Sequence, residues 1–170
     1  GLCAVDGQDV VATVALQVHE QGFFASDRRE RHRQGAPDFV LGVGGATRRI
    51  ASLLPPSAGT VLDLGCGCGV LGILAARTAQ RVVALDVNPR AVAFTRFNAE
   101  LNDCHNLDAA TGDLYAPVAG QRFDLIVCNA PYAVSPTSTY LYRDGGTDFC
   151  ERLSRATPAM LADNGLTLLA

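Results

Sequence analysis

The chain has 170 residues, 48% of them hydrophobic, enough for one core but not two, since domains run to about 100–150 residues. Charged residues make up 18%, the formal net charge is -3 and the isoelectric point is near 5.5. That balance is opposite in sign to the footprint with which proteins neutralise phosphates, so binding to bulk nucleic acid by charge alone is disfavoured.

All fourteen basic residues are Arg, and the six Cys are scattered as Cys3, Cys66, Cys68, Cys104, Cys128 and Cys150. Several lie in strand-like or glycine-rich sequence, which reads as reduced thiols rather than a disulfide framework. No apolar run approaches the roughly 20 residues needed to span a bilayer, and the N-terminus lacks the charged-then-apolar order of a signal peptide. A soluble, cytoplasmic protein without membrane contact is expected.

Residues 1–37 read as an N-terminal unit. The β-branched and small apolar run Val10–Val18, the break His19-Glu20-Gln21-Gly22 and then Phe23-Phe24-Ala25 predict a β-hairpin. Asp27 to Gln34 is highly charged and is expected to be an exposed connector. Its cluster Arg28, Arg29, Arg31, His32 and Arg33 is diluted by Asp27 and Glu30, and reads as a solvated connector rather than as a nucleic-acid contact. The main domain is expected over residues 38–170, opening with a glycine-rich stretch after which Thr47 is placed as N-cap of a helix reaching Leu54.

From Gly59 onward short β-branched runs alternate with helical stretches, the signature of a parallel α/β sheet. Strands are predicted at Val61–Leu64, Arg81–Leu85, Leu107–Ala110, Phe123–Cys128 and Leu166–Ala170. Helices are predicted at Leu71–Thr78, Pro89–Leu101 and Phe149–Leu161, the second with Asn88 as N-cap and Pro89 in its first position. Right-handed crossovers from a central first strand give a doubly wound sheet of order 3-2-1-4-5. The chain stops in strand sequence at Ala170, so either it is a fragment of a longer protein or the sheet is truncated there. An exposed apolar edge at that strand invites a homodimer or a partner chain that completes the sheet.

The first strand runs into Asp63-Leu64-Gly65-Cys66-Gly67-Cys68-Gly69, whose glycines let the backbone turn sharply and approach a ligand. Gly67, Gly69 and Gly72 also satisfy the dinucleotide spacing G-x-G-x-x-G, with Asp86 about 20 residues downstream. A nicotinamide oxidoreductase is therefore a competing reading on glycine spacing alone. Asp63 tips the balance, because a carboxylate there opposes a pyrophosphate and attracts a ligand bearing a sulfonium and a free ammonium.

Val61 to Gly69 resembles the cofactor motif of class I S-adenosylmethionine-dependent methyltransferases. The resemblance implies a cofactor site of Asp63, Gly65, Cys66, Gly67 and Gly69, with S-adenosylmethionine as cofactor and S-adenosylhomocysteine as product. Asp86, ending the second strand, is the expected anchor of both ribose hydroxyls, with Val87 beside it. Asp113 takes the family's adenine-capping position. The bland alternatives are that Asp86 caps the following helix and that Asp113 is an ordinary turn residue. Asp38 to Thr47 looks like the segment preceding this motif in actinobacterial methyltransferases, and implies that Thr47 touches the methionine part.

Asn129-Ala130-Pro131-Tyr132 follows the fourth strand, where a doubly wound sheet presents groups to its crevice. It resembles the N-P-P-Y motif of amino-methyltransferases, with Ala130 in place of the first proline, and is similar to that of release-factor glutamine and RNA-base N-methyltransferases. A conjugated nitrogen is a poor nucleophile and must be aimed. Asn129 and the Ala130 carbonyl can each accept one of its N–H groups, while Tyr132 stacks on a planar acceptor. A strand-to-loop turn that happens to use Asn and Pro is the plain alternative.

The acceptor implied is a protein glutamine amide or a nucleobase exocyclic amine. A small natural-product acceptor is the nearest variant, and a non-catalytic cofactor-binding module within an assembly is the alternative from another class. Tyr140, Tyr142 and Arg143, before Asp144-Gly145-Gly146, are candidates for an acceptor-binding lid. No metal is expected, since Cys66 and Cys68 have no second ligand pair at suitable spacing.

Overall fold

The computed structural model describes residues 3–56, 58–131, 141 and 148–170. The chain begins with two antiparallel hairpins. Strands β1 (Cys3–Asp6) and β2 (Asp9–Ala12) are exposed throughout. β3 (Val14–His19) and β4 (Gly22–Asp27) pair from Val14–Asp27 to His19–Gly22, with Glu20 and Gln21 both at positive φ. A two-residue loop of that conformation matches the twist of its strands. The single strand expected over Val10–Val18 is thus split at Thr13. The β-branched run is continuous, but each half pairs with its own neighbour.

The charged stretch also departs from expectation. Arg29–Arg33 forms a short helix, α1. Asp27 is buried instead of solvated, because Arg90 and Arg31 both reach its carboxylate. The next helix, α2 (Gly45–Ala51), is capped by Gly44 rather than by Thr47 and stops short of Leu54. The Thr47 hydroxyl serves a tertiary contact inside the helix instead.

The main sheet has five parallel strands in the order β7-β6-β5-β8-β9, where β5 is Ala58–Leu64, β6 Ala79–Asp86, β7 Leu107–Thr111, β8 Phe123–Cys128 and β9 Leu161–Leu169. This is the expected 3-2-1-4-5 arrangement of a doubly wound, Rossmann-like sheet. β5, β6 and β7 extend the expected ranges by one to three residues, and β9 begins five residues earlier than expected. It starts directly after helix α5 (Phe149–Met160), and its register slips between Leu161 and Leu166, where Asn164 turns to φ 64°. The bulge hides the period-2 alternation that reveals a strand in sequence.

The strands' alternate residues face two layers. Val61, Val82, Leu125 and Val127 pack with Leu71 and Ala75 of helix α3 (Val70–Ala76) and Ile50 of α2. Leu62, Leu64, Val83, Leu85 and Ile126 pack on the other side with Leu153 and Met160 of α5. β4 joins the first layer, where Phe24 and Ala25 are closed off from solvent against Phe94 and Ala99 of helix α4 (Pro89–Leu101). The second hairpin is therefore seated on the sheet domain.

Polar side chains on α4 make that seat specific. Asn98, wholly buried, accepts the N–H of Ala25 and donates to the carbonyls of Ala25 and Cys68 at 2.8–2.9 Å. Asn102 repeats the pattern on Phe23, accepting its N–H and donating to its carbonyl. Replacing Asn98 with Leu strands three buried backbone groups, each of which costs about 1–3 kcal/mol when left unpaired. Urea denaturation should show a loss of about 3–5 kcal/mol. Arg81→Ala, which removes an exposed ion pair with Asp108, should stay within about 0.5 kcal/mol.

Candidate active site

The order of the strands reverses between β5 and β8, and a crevice opens above their C-terminal ends. The cleft there has a volume of about 1000 Å³ counting its open mouth. Asp63, Gly65, Cys66 and Gly67 of the glycine loop form its floor, Asp86 and Val87 one wall, and Gly112 and Asp113 the next. Asn129 and Pro131 lie opposite, Thr47 reaches in from α2, and Phe39 to Gly42 form a roof. Gly69 and Ala130 sit just behind. The Gly69 N–H donates to the Cys66 carbonyl, and Ala130 packs towards α5 while its N–H donates to Ala170. Tyr132, Tyr140, Tyr142, Arg143 and residues 144–146 lie outside the described residues.

The glycine loop turns on residues that only glycine supplies cheaply. Gly67 has φ 57° and Gly69 φ 83°. At Gly69 a Cβ would also come within 2.9 Å of the Thr95 side chain beneath it.

What the loop does with its N–H groups bears on the ligand. Gly65 and Cys66 both donate to the Leu85 carbonyl, Gly67 donates to the Asp86 carboxylate at 2.9 Å, and Gly69 donates to Cys66. Dinucleotide loops offer such donors to a pyrophosphate. Here they are engaged within the protein, and carboxylates face the cleft instead.

Asp86 therefore does more than its position in the sequence indicated. One oxygen accepts the Gly67 N–H and the other the Asn88 N–H, while Asn88 caps α4 by accepting from Arg90. Asn129, which lines the cleft, donates through Nδ2 to the Thr47 hydroxyl at 3.1 Å. Thr47 thus holds Asn129. Asp113 is ion-paired with Arg152 on the open side.

A protein-family comparison bears directly on this arrangement. Residues 42–167 match the model of the methyltransferase small domain. The chain belongs to that family. Ribosomal RNA small subunit methyltransferase C of Chromohalobacter salexigens is 32% identical over 130 residues, 72% of this chain and 36% of the relative. The release factor glutamine methyltransferase of Geobacter sulfurreducens is 38% identical over 79 residues, 45% of this chain and 28% of the relative. The first few such relatives are spanned over 23–51% of their length. Among solved structures, a T. thermophilus 16S rRNA methyltransferase in complex with AdoMet and guanosine shares the fold. Its TM-score is 0.67 at 21% identity, over 92% of this chain and 41% of that one.

The small domain's site residues missed by sequence reasoning are Thr95 and Asn98. Thr95 donates to the Gly67 carbonyl and Asn98 to that of Cys68, so α4 holds the glycine loop from below. A signal existed, since Asn88, Thr95, Asn98 and Asn102 recur at helical spacing within an otherwise apolar face.

Electrostatics separate the groups. Burial pushes Asp63 up to about 7, against the Gly72 N–H that favours its charged form. Burial also raises Asp86, opposed by the N–H groups of Asn88 and Gly67. The Cys68 and Cys128 thiols are pushed up to about 12 by burial, and Cys66 is raised likewise. They are neutral at physiological pH, hence poor nucleophiles and poor metal ligands. All six cysteines are free. Among the described residues no acidic, His or Cys cluster is arranged for a metal, and no helix is long and apolar enough to cross a membrane.

Asp63 makes a pH prediction. Its folded value, about 7, lies above its ordinary 3.8. The stability it contributes is therefore complete below its unfolded value and is lost as pH rises through the folded one. The ligand-free protein should weaken between about pH 4 and pH 7 by on the order of a few kcal/mol. Denaturation midpoints across that range should flatten in Asp63→Asn, which keeps the acceptor for Gly72. An equal slope in both proteins would assign the loss elsewhere.

Proposed function

We propose that the cleft binds S-adenosylmethionine and that the protein transfers its methyl group to a planar nitrogen, either a glutamine amide of a protein or an exocyclic amine of a nucleobase. The observation that carries this reading is the joint placement of Asp86 and Asn129. One acidic wall suits a ribose, and Asn129, its amide nitrogen tied to the Thr47 hydroxyl, lines the same crevice. The engaged N–H groups of the glycine loop fit a ligand that carries no pyrophosphate there.

The residues suit the cofactor's parts. Asp86 retains lone pairs for the ribose hydroxyls beyond those used by Gly67 and Asn88, since an ionised carboxylate accepts about four hydrogen bonds. Asp113 is assigned to the adenine amino group, with Val87 against the ring. Asp63 and the loop from Gly65 to Gly67 are assigned to the methionine end, where the buried carboxylate is drawn into its charged form by an ammonium. Bound there, S-adenosylmethionine supplies an electrophilic methyl group and leaves as S-adenosylhomocysteine.

The chain's contribution to transfer is orientation. Asn129 Oδ1 and the Ala130 carbonyl each accept one N–H of the acceptor, leaving the nitrogen lone pair directed at the methyl carbon. Both acceptors also stabilise the positive charge that develops on that nitrogen as its bond to the methyl carbon forms. Proton loss then restores a neutral, methylated nitrogen. Tyr132 is assigned by its motif to the face of the acceptor. Relatives named for N5-glutamine and release factor glutamine support an amide nitrogen, and one named for ribosomal RNA supports a nucleic-acid acceptor.

The experiment separates binding from transfer. On a glutamine-containing release-factor peptide or a ribosomal RNA that the wild type methylates, Asn129→Ala should lower kcat by about 10²–10³. Its affinity for S-adenosylhomocysteine should be unchanged. Asp86→Ala should instead weaken that affinity by about 1.5–3 kcal/mol. An Asn129 variant with full activity, or one that loses the cofactor as severely as Asp86→Ala, contradicts the assignment.

A further inference from the structure

Among the described residues, most hydrogen bonds to the roof of the cleft, residues 38–43, come from the N-terminal unit. Val40 and Val43 pack in one layer with Val70, Ile73 and Phe94 of the sheet domain. Asp27, at the end of β4, brackets Val40: its N–H donates to the Val40 carbonyl at 3.2 Å and its carboxylate accepts the Val40 N–H at 2.9 Å. The same carboxylate takes Arg90 of α4 in a two-pronged contact at 2.6–3.2 Å and lies 3.5 Å from Arg31 of α1. Arg31 in turn binds the Asp38 side chain at 2.5 Å. Further along, Gln17 of β3 accepts the Val43 N–H at 2.8 Å. Gln17 and Ser26 press so closely on Gly42 that a Cβ there would collide with both. From the sheet domain, the Asn88 side chain donates to the Asp38 carbonyl.

These contacts form a junction rather than a loose appendage. Phe39 and Val40 line the cleft and are themselves buried. A roof of six residues has no secondary structure of its own to hold it over a ligand, so its position is set by its anchors. Asp27 joins four elements at one carboxylate, β4, the roof, α1 and α4, without facing the cleft.

We propose that the N-terminal hairpin β3–β4 is the scaffold that positions this roof over the cofactor, with Asp27 and Gln17 as its positioning residues. The proposal rests on the cofactor reading above and extends it to a part of the chain outside the glycine loop and the Asn129 motif. Loss of either anchor lowers the fraction of molecules with the roof closed, and the apparent affinity falls by that fraction. Anchoring acts on ligand escape more than on entry, so release should quicken.

The test measures S-adenosylhomocysteine binding by calorimetry and release by stopped flow in the full chain. Asp27→Ala should weaken binding about tenfold and Gln17→Ala about threefold, if closed fractions fall correspondingly. Gln17 is only half-buried, so its variant keeps the question answerable should Asp27→Ala fail to fold. Leu125→Ala, a core truncation that does not line the cleft, serves as the stability control. It should lower Tm while leaving affinity unchanged. Equal binding in the wild type and both anchor variants overturns the proposal, as does a comparable loss of affinity in Leu125→Ala. A wild type that binds no S-adenosylhomocysteine overturns the cofactor reading and this role with it, whereas the first two results leave that reading standing.

Discussion

The Asp86 carboxylate, at the C-terminal end of β6, accepts one N–H from the glycine loop and another from the start of α4. The wall of the cleft, its floor and the helix that supports the floor therefore meet at one side chain. Because those bonds favour the charged form while burial opposes it, the group is held in place with its remaining lone pairs turned to the cleft. A ribose in that position would use the acceptor capacity that these bonds leave.

Helix α4 extends this arrangement. Among the polar side chains of α4 and its caps, Thr95 and Asn98 fix the glycine loop, Asn98 and Asn102 fix β4, and Asn88 ties down the roof. Buried polar groups are stabilising only when fully paired, so such a row specifies one arrangement of its neighbours and penalises others. The hairpin, the loop and the roof are consequently registered to a single helix, and the cleft inherits its shape from that registration.

Much of this was legible in the sequence where a residue acts through local chemistry. The span Pro89–Leu101 with its Asn88 cap, the strand Phe123–Cys128 and the order of the sheet follow from periodicity, capping and the handedness of crossovers. Thr47 was expected near the ligand and does line the cleft, but its bond to Asn129 spans 82 positions of chain and has no local signature. Asp27 shows the limit more plainly. Among Arg and Glu neighbours it reads as solvated surface, and only the arrival of Arg90, 63 positions away, makes it a buried junction. The bulge in β9 and the break at Thr13 were lost for a related reason, since pairing partners rather than propensity decide where a strand ends.

The central claim is that the cleft is built for a nucleoside bearing a charged amino-acid tail rather than for a dinucleotide. Titrating the wild-type protein with S-adenosylhomocysteine and with NAD in a calorimeter tests it most directly. One site for S-adenosylhomocysteine and no heat of binding with NAD are predicted. Saturable binding of NAD at that site, with none for S-adenosylhomocysteine, would contradict it.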